Sequence, residues 1–89
     1  MSKLTEQQLL KRTERRQSLF NRVQEECVQQ DIKWGDQSHE DGKWLQILIE
    51  ELGEACKDDL EDFSVEARRE LIQAAAVLIQ WIYDKTRKC

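Results

Sequence analysis

"LIQAAAVLIQWI", residues 71–82, is apolar at every position except Gln73 and Gln80. A helix that is apolar nearly all round is one buried on most of its sides. The run lies inside a longer helix expected over about residues 65–87. A chain of 89 residues has too few elements of its own to surround such a helix. The stretch therefore predicts an all-α protein of helical hairpins, forming a four-helix-type bundle completed by oligomerisation. A homodimer or homotetramer is the expected assembly.

Working back from this helix, a tight turn is expected in which Asp62 or Ser64 caps the helix that follows. Before the turn, the periodicity predicts a second helix over about residues 43–62. Leu45, Leu48, Leu52, Ala55 and Cys56 make its expected main apolar face. Ile47, Glu51, Glu54 and Asp58 form an adjacent stripe at steps of four, three and four. Glu51 and Glu54 thus stand one turn apart at the edge of the core. In an antiparallel hairpin they oppose Glu70 and Gln73, another pair three residues apart. Clustered carboxylates in a partly buried site need a counter-charge. Lys57, Arg68, Arg69 and a divalent cation are the candidates. Oxygen ligands suit Mg²⁺, with Mn²⁺ as the alternative, and no Cys or His pair has zinc spacing. The competing reading is an acidic, solvated hairpin edge.

Further back, "DIKWGDQSHEDGKW" (31–44) breaks the helical pattern with Gly35, Gly42 and several turn formers. A loop over about residues 31–42 is expected, and loops of this length are often functional. It carries Trp34 and the lone histidine, His39. A first helix is expected over about residues 5–30, with Leu9, Phe20, Val23 and Cys27 at helical spacing. Its first half is poor in apolar residues, which suits projection or packing on a partner. The whole chain, 1–89, reads as a single domain.

Composition narrows the function classes. Eighteen acidic against fourteen basic residues give a net charge of −4. That balance argues against nucleic acid as the main partner, because a phosphate backbone needs a basic face. Cys27, Cys56 and Cys89 fit neither a disulfide framework nor a CxxC motif, and are read as small apolar fillers. No segment resembles a signal peptide or reaches the ~18 apolar residues of a membrane span, so a cytoplasmic protein without membrane contact is expected.

"WGDQSH", "WLQILIEELGEACK" and "RRELIQAAAVLIQWI" together resemble the MazG-like, all-α nucleoside triphosphate pyrophosphohydrolases, in the short form found in phage and mobile-element genomes. The resemblance covers about residues 24–84. The family's ExxE motif falls on Glu51 and Glu54. Its ExxD motif falls on Glu70 and on Gln73, which stands where the family has Asp. The resemblance implies Mg²⁺-dependent hydrolysis of a (deoxy)nucleoside triphosphate to the monophosphate and pyrophosphate, with nucleotide-pool housecleaning as the role. It implies that Glu51, Glu54 and Glu70 act through the metal and its activated water, with Gln73 as a weak fourth ligand. It also places base recognition in the loop of Trp34 and His39.

Each substrate-contact residue has a second reading. Trp34 stacks on a base or covers the end of the core. His39 donates to a base or phosphate, or is simply solvated. Lys57 neutralises phosphate or pairs with Glu54. Trp44 and Trp81 read as packing residues, and Arg87 and Lys88 as residues suited to a helix C-terminus. Two other functions stay open: a catalytically weakened nucleotide-binding relative, motivated by Gln73, and a non-enzymatic helical interaction module.

Overall fold

A computed structural model describes residues 2–57 and 65–87. The described residues form three α-helices in the order α1 (Glu6–Trp34), α2 (Asp41–Lys57) and α3 (Val65–Thr86). The all-α expectation holds for them. The turn with its Asp62 or Ser64 cap, Asp58, Lys88 and Cys89 lie outside the described residues, as does the expected end of the second helix at about residue 62.

The ends of α1 follow from local chemistry. Thr5 Oγ1 accepts from the Gln8 backbone N–H at 3.1 Å, and Gln8 Oε1 accepts from the Thr5 N–H at 2.9 Å. This reciprocal pair satisfies donors that a helix start otherwise leaves open. The helix then runs four residues beyond the expected stop near residue 30. Nothing in Asp31, Ile32, Lys33 or Trp34 forbids helical backbone. Gly35 is the first residue free to take the left-handed φ of 71°, and its N–H closes the helix on the Asp31 carbonyl at 2.9 Å. At the other side, Glu40 C=O accepts from Lys43 and Trp44, so α2 starts two residues earlier than the glycine-rich pattern suggests. The connection shrinks from the expected 31–42 to residues 35–40.

α3 is the central element and packs on both α1 and α2. Cys27 Sγ lies 3.8 Å from Ala76 O, and Gln80 Nε2 donates to Asp31 Oδ1 at 2.8 Å. Both pairs are 49 residues apart, so α1 and α3 run parallel. α2 runs antiparallel to α3, with Trp44 at Asp84 and Asp41 at Trp81. The buried set is Cys27, Trp44, Ala55, Ala67, Ala74, Ala76 and Val77. Its many alanines let the backbones approach closely, while Trp44 supplies the bulk.

The face that α2 turns inward differs from the expected one. Trp44 and Ala55 are buried and Ile47, Leu48 and Glu51 half-buried, while Leu45, Ile49, Leu52 and Cys56 are exposed. α2 carries apolar residues on two sides, and composition alone favours the richer one. The indole of Trp44 decides otherwise, because its N–H needs a buried acceptor. Asp84, only 1% exposed, provides it at 2.8 Å and also accepts the His39 backbone N–H at 3.0 Å. Arg87 Nη2 stands 3.4 Å from the other Asp84 oxygen. Cys56 is correspondingly no filler within this chain. Cys27 is, and burial, then Asp31 and Glu26, push its thiol pKa up.

Candidate metal and nucleotide site

The i, i+3 spacing of Glu51 and Glu54 on α2 and of Glu70 and Gln73 on α3 becomes a spatial cluster once the helices lie antiparallel. One carboxylate oxygen from each of Glu51, Glu54 and Glu70 lies within 4.8 Å of the other two. Glu51 and Glu70 are half-buried and Glu54 is exposed. Burial raises the Glu51 pKa above its ordinary 4.5, and the charges of Glu54, Glu70, Glu26 and Glu50 raise it further, in that order.

Gln73 sits between two of these carboxylates. With its amide nitrogen turned toward them, it donates to Glu51 Oε2 and Glu70 Oε2, each at 3.0 Å. That orientation is assigned from the hydrogen bonds it satisfies. Gln73 is therefore at the cluster, as the ExxD register predicts, but as a donor. To serve as the weak fourth ligand its amide must rotate and present oxygen.

The donor set fits a hard divalent cation. All three groups are carboxylates with one oxygen each within 4.8 Å of the others, and a cation would relieve the like charge that, after burial, raises Glu51. Glu51, Glu54 and Glu70 would hold Mg²⁺ or Mn²⁺ there, with remaining positions left to water or phosphate oxygens.

Next to the cluster a cavity of about 550 Å³ opens between α1, α2 and the 35–40 connection. Trp34, His39, Lys33, Lys43, Glu51 and Gln73 all line it. The structure thus joins the expected loop aromatics to the carboxylate cluster. Trp34 is the last residue of α1 rather than a loop residue, is 62% exposed, and has Lys33 Nζ 4.9 Å from its ring centroid. It does not cover the core. The His39 ring packs edge-on to Trp44 at 4.8 Å, and its Nε2 lies 3.0 Å from Gln37 Oε1. An amide oxygen only accepts, so Nε2 carries the proton. His39 is half-buried rather than solvated. Trp81 donates from Nε1 to Asp41 at 2.9 Å, which lowers the Asp41 pKa, helped by Lys85. Lys57 ends α2, is exposed, and does not line the cavity. Arg68 and Arg69 are exposed.

Sequence reasoning missed Lys33, Lys43 and Glu26 as cavity residues. Chain spacing to Glu51 carries no signal for Glu26 and Lys33, and Lys33 reaches the site because α1 extends past residue 30. Asp84 had a readable signal: an acidic residue ending the apolar α3 run, with an indole elsewhere in need of an acceptor.

Comparison of the chain with protein-family models, with curated proteins and with solved structures gives no match.

Proposed function

We propose that the chain is a Mg²⁺-dependent nucleoside triphosphate pyrophosphohydrolase of the MazG-like all-α kind. The observation that carries this reading is the convergence of Glu51, Glu54 and Glu70 beside a cavity with an exposed indole and two lysines. Bound Mg²⁺ supplies charge neutralisation for phosphate and a water of lowered pKa. The chain's own residues do the rest. The three carboxylates fix the cation at one end of the cavity. Lys33 and Lys43 attract the polyphosphate, which an acidic chain otherwise repels. The free face of Trp34 stacks on the base. His39, packed on Trp44 and with its Nε2–H held by Gln37, shapes the cavity wall. Positioning of this sort accounts for much of the barrier reduction in phosphorus chemistry.

The protein is proposed to act as a homodimer or homotetramer, in the cytoplasm, as nucleotide-pool housecleaning of the phage or mobile-element type. The four-helix-type bundle is supported by two uncovered stripes. Leu45, Ile49, Leu52 and Cys56 on α2 are exposed at steps of four, three and four. Leu71, Leu78 and Ile82 on α3 are exposed with half-buried Ala75 completing the same steps. A second hairpin laid on these stripes would cover them.

The test is pyrophosphate release from a panel of common and modified (deoxy)nucleoside triphosphates, with and without Mg²⁺. Wild type is expected to release pyrophosphate only with the metal, and Glu54→Gln to lose it. Metal-independent release, or release unaffected by Glu54→Gln, would sink the reading. A weakened nucleotide-binding relative is favoured by one specific observation, the Gln73 amide bridging Glu51 and Glu70. Nucleotide binding without turnover in wild type, and turnover gained in Gln73→Asp, would select it. Absence of both binding and turnover would leave the non-enzymatic interaction module.

A further inference from the structure

Charge is divided unevenly along the chain. Residues 1–24 hold six basic and two acidic side chains, whereas residues 25–89 hold eight basic and sixteen acidic ones. A segment of net charge +4 is therefore joined to a body of net charge −8. Every residue from Ser2 to Arg22 is exposed, although α1 is helical from Glu6 onward. The parallel register with a constant offset of 49 puts Arg16 level with Val65, the first residue of α3. Glu6 to Arg15 thus extend past that level, over about 15 Å of helix.

This exposed half is not uniformly polar. At about 100° per residue, Leu9, Phe20 and Val23 fall on the same side as Cys27, the side that meets α3. The side of α1 that packs in its second half is exposed in its first half, with no other described residue covering it. Leu10 and Leu19 flank it and are exposed as well. Lys11, Arg15 and Arg22 lie on the opposite side, whereas Arg12 and Arg16 fall within about 60° of Cys27, on the apolar side itself.

Pairing this segment with its own copy would bring two basic helices together, which like-charge repulsion opposes. The complementary surface is the acidic body, which carries uncovered apolar residues outside the two stripes, Val65, Ile79 and Tyr83 on α3. We propose that Glu6–Arg22 is a docking arm that lies on the body of a second copy of this chain. Its apolar side covers these α3 residues, and Arg12 and Arg16, which lie on that side, face the carboxylates around them. The arm adds to the pairing of hairpins and is separable from it. It does not depend on catalysis.

Sedimentation equilibrium of the full chain tests the arm. Wild type, the arm variant Arg12→Glu/Arg16→Glu and the stripe variant Ile49→Glu/Leu78→Glu are compared at about 50 mM and about 500 mM NaCl, where screening differs strongly. Helicity by circular dichroism establishes that each variant is folded. The arm variant is expected to associate about tenfold or more weakly than wild type at low salt. The salt dependence seen in wild type should also vanish in it. Equal association of folded arm variant and wild type overturns the proposal, as does a wild type that stays monomeric. An arm variant that associates normally but alone fails to co-sediment with vesicles containing phosphatidylserine overturns it in favour of an anionic lipid surface. Weakening in the stripe variant alone, with the arm variant unaffected, shows hairpin pairing without an arm.

Discussion

Glu51 is the residue whose environment reaches furthest. Its carboxyl titrates above the ordinary 4.5 because burial and then Glu54 disfavour its charge. An acid raised in the folded state contributes stability below pH 4.5 that is lost as pH rises through its folded pKa. Metal-free protein should therefore become easier to unfold as pH rises from about 4.5 toward neutrality. Glu51→Gln removes this dependence. Partly screened like charges are worth little, so the variant should exceed wild type at pH 7 by about 0.5 kcal/mol in urea unfolding. The two should converge below pH 4.5. Mg²⁺ should raise the wild-type midpoint at pH 7 and leave Glu51→Gln nearly unmoved. A midpoint for Glu51→Gln below that of wild type at pH 7 would contradict the like-charge account.

Gln73 poses the sharper question at the same scale. Its amide donates to two carboxylates and so stands in for part of the missing positive charge. Gln73→Asp replaces that donor with a fourth carboxylate. Metal-free Gln73→Asp should be destabilised by about 1 kcal/mol, since two bonded carboxylates lose their donor and gain a like charge. It should bind Mg²⁺ more tightly than wild type, read by isothermal titration. A variant both more stable without metal and no tighter for it would remove Gln73 from the cluster's energetics.

At the scale of elements, the connection between α1 and α2 is held by the C-terminal end of α3. Asp84 accepts from the Trp44 indole and the His39 backbone, and Lys85 Nζ donates to His39 O at 2.9 Å. One buried carboxylate thus sets both the inward face of α2 and the wall of the cavity. Asp84→Ala leaves two donors without their acceptor and should cost about 2–3 kcal/mol, measured as a lowered thermal midpoint. Asp84→Asn keeps an acceptor and should lose less. The same carboxylate explains which side of α2 is inside. Of the expected face Leu45, Leu48, Leu52, Ala55 and Cys56, only Ala55 is buried and Leu48 half-buried, and Trp44, Ile47 and Glu51 turn inward in place of Leu45, Leu52 and Cys56. A glutamate on the inward face looks like an error by hydropathy and is sensible only with Glu70 and Gln73 opposite.

For the whole molecule, the uncovered stripes and the small, alanine-rich core mark a chain whose apolar surface exceeds what three helices can bury. Ile49→Glu with Leu78→Glu should lower the mass measured by light scattering to that of one chain while helicity persists. A mass above that of one chain, unchanged in the variant, would place the assembly interface elsewhere. No helix among the described residues is long and apolar enough to cross a membrane.

The sequence by itself determined the helical class, the three elements and the pairing of Glu51 and Glu54 with Glu70 and Gln73. These depend on local spacing: 3.6 residues per turn, and a hairpin in which positions before the turn face positions after it. The start of α1 was legible in the same way, because Thr5 and Gln8 cap it locally. Only the tertiary structure decided which side of α2 is inside, that α1 continues to Trp34, and that Lys33, Lys43 and Glu26 share a cavity with Glu51. It also decided that Gln73 donates rather than ligates. The phase of α2, the shared cavity and the role of Gln73 depend on partners from another helix, Asp84 for Trp44, α1 for α2 and Glu51 for Gln73. A one-dimensional pattern specifies the period of a helix but leaves its phase to whichever buried polar group finds its partner.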